Sequence, residues 1–515
     1  MVDPRRRRAP RRTAGAATLL AIVAGALVAS GCGARQRSAS AVIQEPPASS
    51  AAPNVATRSP SAPTGVPSVA ITSPPPGPSP APRPAHAPGT PFDLDEAIDL
   101  ALRQNPDVEA AAARIEEARA RVGEATSAFF PQVIGRLGYV RTDSPAQAFG
   151  MILNQRRFSF DLNFNDPGAT QNVRPEIVGA LPLFRGGQDW QRRKAAELGV
   201  DAARLEREAL RNAIAEAVVA AYAAMLAAPE QVAASRSSEQ AVRRAIEQAR
   251  AQVDAGTALP SDVLSLEARL AEASENRLRA ENAVDLSREA LRVLLGMSAE
   301  EPLEVRVSSR GDAIGRLPLT LDDALETAAD QRPEIAAASR SVAIREAELA
   351  AERAAWLPRV DAFGNYGNDS SDLQLAHRAD NWTFGVAAEI DVFNGFRTRE
   401  RVRAAQSRLE AARQAERKAK LDATRDVRTA WLTLHEVRER EEVSRRALAA
   451  AEEALRLVQV QYEAGAATLT RYLEAEAAAA AARSRAIAAR YEVRRSEAGL
   501  AKAIGALGRR DTGDS

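Results

Sequence analysis

The chain carries one structural unit twice. Leu94-Asp95-Glu96-Ala97 returns as Leu321-Asp322-Asp323-Ala324, Asn105-Pro106-Asp107 as Arg332-Pro333-Glu334, Phe130-Pro131-Gln132-Val133 as Leu357-Pro358-Arg359-Val360, and Tyr139 as Tyr366, all at an offset of 227 residues. Further along, Phe184-Arg185-Gly186 pairs with Phe393-Asn394-Gly395, Tyr222 with Trp431, Ala255-Gly256 with Ala464-Gly465 and Leu295-Gly296 with Ile504-Gly505, now at an offset of 209. One 18-residue insertion between Tyr139 and Phe184 accounts for the change. Internal repetition constrains a fold more than any local motif does, because each element must make sense in both copies.

Within each unit the order of elements is the same. A short amphipathic helix opens at a Leu-Asp signal, with Asp95 and Asp322 as acidic first-turn residues, and stops before Pro106 or Pro333. A helix of about 23 residues follows, ended by Pro131 or Pro358, which switch the chain from helix to strand. The period then changes to two. Val133, Leu137 and Tyr139 alternate with Arg136 and Gly138, and Val360, Ala362, Gly364 and Tyr366 with Asp361 and Asn365. On the return side Phe384, Val386, Ala388, Ile390 and Val392 alternate with Gly385, Ala387, Glu389 and Asp391. That pattern marks strands with one apolar and one small or polar face. Next come helices spanning 188–254 and 397–463, 67 residues each, which at 1.5 Å per residue reach roughly 100 Å. After a glycine turn (Gly256, Gly465), a helix of about 38 residues closes each unit. The two shorter helices, stacked end to end, match the long one, which gives an antiparallel rod with strands at one end and the glycine turn at the other. Pro229 falls inside the first long helix, opposite Arg438 in the second copy, and predicts a kink or short interruption near Ala228. Tyr222 and Trp431 read as core.

Composition narrows the function. Lys+Arg of 69 against Asp+Glu of 68 excludes the basic excess of a nucleic-acid binder. One cysteine and three histidines (His86, His377, His435) without metal-ligand spacing leave metal and imidazole chemistry almost nothing to build on. The carboxylates sit at helical spacing with arginine partners, the pattern of a solvated face. No phosphate loop or nucleophile elbow occurs, so no enzyme and no cofactor are expected. Sixteen of the 22 aromatic residues fall in windows 129–190 and 356–396, which hold the two hairpins. Aromatic girdles belong where barrel strands cross the edges of a bilayer. Four strands cannot close a barrel, and open edges are not tolerated in hydrocarbon. Other copies of the chain must supply the rest: two chains make eight strands and a filled barrel, three make twelve and an aqueous bore.

Residues 1–31 read as a secretory signal. Arg5 to Arg8 with Arg11 and Arg12 form a positive region, and an apolar run of about fifteen residues follows. Arg11-Arg12-Thr13-Ala14 lacks the remainder of a twin-arginine signal. Ala29-Ser30-Gly31-Cys32 resembles the lipobox of bacterial lipoproteins, although Ala29 stands where leucine is usual, and it holds the one cysteine of the chain. Acylation of Cys32 would fix the N-terminus to a membrane; Gly33, rather than aspartate, permits sorting to the outer membrane by the same resemblance. Residues 32–91, rich in Pro, Ala and Ser, read as a tether without a core. The repeats occupy 92–300 and 301–508, with hairpins at about 131–187 and 358–396, tips at about 255–261 and 464–470, and a short tail at 509–515.

These features together resemble the TolC-like outer-membrane efflux family over residues 92 to about 507. The resemblance is carried by Leu94-Asp95-Glu96-Ala97 with Asn105-Pro106, by Pro131 and Pro358, and by Phe184-Arg185-Gly186-Gly187 and Phe393-Asn394-Gly395. The tips Ala255-Gly256-Thr257 to Asp262-Val263-Leu264 and Ala464-Gly465-Ala466-Ala467-Thr468 complete it. It implies a mainly α chain with β-hairpins that forms a trimer: an α-barrel tunnel in the periplasm and a 12-stranded barrel in the outer membrane. The lipidated start is similar to the branch serving resistance–nodulation–division pumps. Implied partners are two further copies, a periplasmic adaptor, an inner-membrane pump and outer-membrane lipid; energy comes from the pump. Tip residues Gly256, Thr257, Asp262, Gly465, Ala466, Arg471 and Glu474 are then the gate and adaptor-facing candidates, with Asp262 and Glu474 forming acidic rings. Arg471 stands where the family often has an acid, which suggests an Asp262–Arg471 ion pair instead of a doubled acidic gate. Rival readings are a duct for type I protein secretion and a periplasmic coiled-coil lipoprotein without a pore; the latter leaves the aromatic hairpins unexplained.

Overall fold

The computed structural model describes residues 91–256, 258–306, 317–372 and 379–507. The leader, Cys32 and the tether up to residue 90 lie outside these residues, as do Thr257 and the tail.

Each repeat builds the same series. The first holds α1 (Leu94–Gln104), α2 (Pro106–Ser127), β1 (Gln132–Thr142), α3 (Pro145–Asn154), β2 (Thr170–Arg185), α4 (Gln188–Asp254) and α5 (Pro260–Leu295). The second holds α6 (Leu321–Gln331), α7 (Pro333–Ala354), β3 (Arg359–Asn368), β4 (Asp380–Glu389), α8 (Arg397–Glu463) and α9 (Leu469–Ala503). The opening helices start on side-chain caps one residue before the expected leucines. Asp93 accepts from the Glu96 N–H while Glu96 accepts from that of Asp93, and Thr320 accepts from the Asp323 N–H. Asn105 caps α2 at Asp107 and also donates to the Leu294 carbonyl at 3.0 Å, tying the front of the repeat to its end. At that junction Gly296 has φ +69°, and a Cβ there would lie 2.6 Å from the Gln104 carbonyl oxygen. Gly505 repeats the arrangement at φ +80° and 2.8 Å from Gln331, so the closing glycines are required both by conformation and by space.

The helices pack in a definite lateral order. Toward the tips α4 lies between α5 and α9, and α9 lies against α8; toward the sheet α4 lies between α2 and α7, and α7 against α8. The largest apolar cluster joins Phe92, Ile98, Leu102, Ile214, Val218, Val219, Tyr222, Leu291 and Leu295, and Tyr222 donates to the Phe92 carbonyl at 3.3 Å. Trp431 joins a smaller cluster with Val427, Leu434, Leu500 and Ile504. Of the kink or short interruption expected near Ala228, the interruption does not occur: helix α4 runs unbroken through Pro229. Met225, Ala228 and Val232 are buried around the proline, and Tyr491 and Arg490 of α9 hold the adjacent Glu230, Tyr491 at 2.7 Å. Packing on that scale offsets one missing helix hydrogen bond. Burial, and next the bond to Glu230, push the Tyr491 hydroxyl up to about 12.

The two hairpins are not separate. β2 pairs with β3, which makes one antiparallel sheet in the order β1-β2-β3-β4. Strand β4 ends at Glu389, short of the expected Val392, because its partner β3 begins at Arg359 and the preceding Pro358 has no N–H to extend the ladder.

Candidate functional site

The pairing register sorts the sheet residues onto two faces. Opposed partners share a face, so Val133, Leu137 and Tyr139 of β1 lie with Val173 and Ile177 of β2, Tyr366 of β3, and Trp382, Phe384 and Val386 of β4. This face has no charged residue in the middle of the strands, and its large side chains stand exposed, Phe384 at 74%. The other face carries Arg136, Arg174, Glu176, Asp361, Asn365, Asn381, Thr383 and Glu389. Its charges are paired: Glu176 holds Arg136 across from β1 at 3.5 Å and Arg174 two residues away on its own strand at 3.0 Å, while Arg185 meets Asp361 at 3.5 Å and Arg359 meets Glu389 at 2.7 Å across strands. Glycines in β3 and β4 let one ring on each face lie flat on the sheet. A Cβ on Gly364 would meet the Phe384 ring at 2.6 Å, and one on Gly385 the Phe363 ring at 2.5 Å. Strands of ten residues or more are long enough to cross a bilayer when tilted. The outer strands β1 and β4 each have one partner within the chain.

Pro131 and Pro358 sit immediately before β1 and β3, each after a short turn that ends the preceding helix. At the far end of the helices, Gly256 and Gly465 both turn the chain at φ +72°. Below them Val242, Ile246, Leu266, Val458, Tyr462 and Tyr472 form a compact apolar cluster, with Tyr462 and Tyr472 stacked at 5.2 Å. Burial raises both phenols, aided by Asp262 at Tyr462 and by Glu476 at Tyr472. Asp262 is half-buried and turns back on its own helix, accepting from the Leu259 N–H at 3.4 Å. Ala466 is exposed on the second turn, its N–H bonded to the Gln461 carbonyl. Arg471 and Glu474 are exposed in the first turns of α9, where Thr468 is the cap. No ion pair joins Asp262 to Arg471 within the protomer among the described residues; the Asp262 carboxylate is directed to its helix N-terminus, where the Leu259 N–H and the helix dipole favour it.

Reading every carboxylate as solvated missed a polar network several helical turns above the tips. Glu476 of α9 is 2% exposed and accepts two N–H groups from Arg269 of α5 at 2.8 and 3.1 Å and the Ser238 hydroxyl of α4. Nearby, buried Glu239 accepts from Ser274, Arg243 and Arg277 at 2.8, 2.8 and 2.9 Å. The Ser274 hydroxyl first, and then Arg243 and Arg277 against the opposing effect of burial, hold Glu239 below the usual carboxylate range. The signal was present in the sequence: Glu476 continues the buried stripe of Tyr472 and Ala479, and Glu239 that of Ser235 and Val242. A second missed cluster lies at the strand end, where Asp369, also 2% exposed, accepts from Arg174, Asn172 and Asn381 at 2.6, 2.6 and 2.8 Å.

A surface with one exposed apolar face, one ion-paired face and two open edges fits a bilayer on one side and water on the other. Comparison with known proteins agrees. The family model described as outer membrane efflux protein matches residues 97–297 and 324–506. Protein CyaE of Bordetella pertussis is 29% identical, covering 81% of this chain and 84% of its own. The pyoverdine export outer membrane protein OpmQ of Pseudomonas putida is 26% identical, covering 74% and 79%. Among solved structures, CusC superposes with a TM-score of 0.69 at 20% identity, over 80% of this chain and 91% of that one.

Proposed function

Because the chain belongs to the outer membrane efflux protein family and is an outer-membrane exit duct, we propose that three copies close around one axis, joining their sheets into a 12-stranded barrel. The carrying observation is the sheet itself: four antiparallel strands, two-faced, with β1 and β4 open at its edges. An even strand number lets β4 of one copy run antiparallel to β1 of the next, so the alternation continues around the ring. Every edge N–H and C=O is then paired, as hydrocarbon requires. Eight strands would leave an interior filled by side chains, whereas twelve leave a wet bore for the ion-paired face. The helices continue the cylinder on the periplasmic side, and the tips around Gly256 and Gly465 face the adaptor, which links the duct to an inner-membrane pump. Asp262 and Glu474 would ring the tip with negative charge in such an assembly.

Residues 1–31 serve as the leader in this reading, Cys32 as the acylated anchor and 32–91 as the tether. The duct works passively and has no covalent chemistry. Relatives include a pyoverdine export protein and an alkaline protease secretion protein, and the neighbouring gene separates the two cargo classes: a resistance–nodulation–division pump marks efflux, an ATP-driven exporter marks protein secretion. Light scattering of the detergent-purified protein should give a trimer mass. A stable monomer with ordered strands would overturn the assembly.

A further inference from the structure

The insertion that distinguishes the first copy from the second has a defined place. It begins after Thr142, forms α3, crosses the strand ends and returns at Thr170. Its side-chain contacts with the strands fall on one face of the sheet, and two further bonds reach strand backbone. The Thr142 hydroxyl donates to Gln147 at 3.1 Å, and Gln155 at the C-terminus of α3 donates to the Asn172 side chain at 2.9 Å and to the Gln171 carbonyl at 2.8 Å. Arg156, held at φ +55°, reaches the Asp380 carbonyl at 3.4 Å, which carries the segment from β2 across to the first residue of β4. Thr142, Thr170 and Asn172 share the parity of Arg136, Arg174 and Glu176, so all belong to the ion-paired face. Asn172 in turn donates to buried Asp369, which also holds Arg174 and Asn381. Ala148, Ile152 and Gln155 of the insertion are themselves buried, so it is packed down and not a free loop.

An insertion anchored on the wet face cannot lie in lipid, nor outside the cylinder. We propose that it is a second constriction of the duct, at the outer mouth, with one α3 segment folded into the bore from each protomer. This rests on the barrel reading above. The segment also brings an apolar collar. Phe149, Phe158, Phe160 and Phe164 form a chain of ring contacts with centroids 5.1 to 6.1 Å apart, and Phe160 is 91% exposed. Aromatic rings on a segment held by polar anchors to a polar face project toward the passage. Apolar collars gate by shedding water, so the exit would resist entry of large polar solutes from outside while yielding to cargo pushed from within.

The test reads access from outside the cell, so the state of the periplasmic tip does not affect it. Ile134→Cys places a thiol on the wet face below the insertion, and Leu137→Cys places one on the apolar face. Intact cells are treated with a small charged maleimide or a long polyethylene-glycol maleimide, with the parent chain as blank. With the insertion intact, Ile134→Cys should react with the small reagent and exclude the large one; shortening residues 146–166 to a tight turn should abolish the exclusion. Equal reaction of the large reagent with and without the insertion overturns the outer constriction. Equal reaction of Leu137→Cys and Ile134→Cys with the charged reagent overturns the barrel reading instead. Should the shortened chain not reach the membrane, Phe158→Ser with Phe160→Ser, which leaves the polar anchors in place, must also admit the large reagent or the collar is refuted.

Discussion

Replacing Glu476 by alanine should loosen three helices at once. Its carboxylate is the meeting point of Arg269 from α5 and Ser238 from α4, and it is almost wholly withdrawn from solvent. Removing one member of a buried ion pair costs roughly 3–5 kcal/mol, because the remaining charge loses its partner without regaining water. Arg269 keeps Glu272 at 2.5 Å as a second, exposed partner, which points to the lower end, about 3 kcal/mol. That corresponds to about a hundredfold in an equilibrium constant. The loss is local, since the network spans only the tip half of α4, α5 and α9. Hydrogen exchange of the detergent-solubilised protein is therefore the suitable assay. Amides of α9 and α5 near the network should exchange about a hundredfold faster, while those of the sheet stay unchanged. The double variant Glu476→Leu with Arg269→Met fills the same space with apolar atoms and should return to within about 1 kcal/mol of the parent. Unchanged exchange in the single variant, or a double variant as loose as the single, would refute the assignment of this network as the clasp of the tip.

Glu239 gives a pH dependence of known sign. Its folded value lies below that of an unfolded glutamate, about 4.3, so its contribution is complete above that value and is lost as pH falls through the lowered one. Thermal melts below pH 5 should show an acid-sensitive limb that Glu239→Gln flattens. On the sheet, Phe384→Arg puts a charge on the apolar face, at a cost of roughly 2–4 kcal/mol near the midplane, and should reduce assembled trimer in the outer membrane. Thr383→Arg, one residue away on the wet face, should assemble normally, as gel shifts of unheated membrane extracts would show. Cys32→Ala should abolish acyl labelling of the chain; retained labelling removes the lipid anchor.

Periodic signals were the most legible. The long helices begin and end at the residues the spacing marks, because 67 residues between two glycine-bearing turns leave little freedom. Strand faces were equally readable, since alternation assigns each side chain before any partner is known. What could not be read depended on neighbours distant in the chain. The β2–β3 pairing that merges the hairpins has no local signature, and neither does the partnership of Glu476 with an arginine 207 residues away. The insertion was visible as a length difference, but its helix and the face it covers follow from contacts with Asn172 and Asp380. The missing interruption at Pro229 has the same origin: a helix propensity is a local quantity, whereas the contacts of α9 with Glu230 beside the proline are not.

The two flanks of the protomer are different, and that difference selects the kind of assembly. On one side stand β4 and the helix that continues it, α8; on the other stand β1, the helix that leads into it, α2, and toward the tips α5. Leu421, Leu432 and Val443 of α8 are all exposed, and they recur every 11 residues, close to three helical turns, so they form a nearly straight apolar seam. On the opposite flank α5 exposes Leu278, Leu286 and Val293. A two-fold dimer would set like flank against like, β4 against β4, and would leave the other edge of each sheet unpaired. Unlike flanks meet head to tail, and such contacts close into rings when the rotation allows. In the ring proposed above, the edge strands and the edge helices would meet the same neighbour on the same side, so a single rotation would serve barrel and tunnel together.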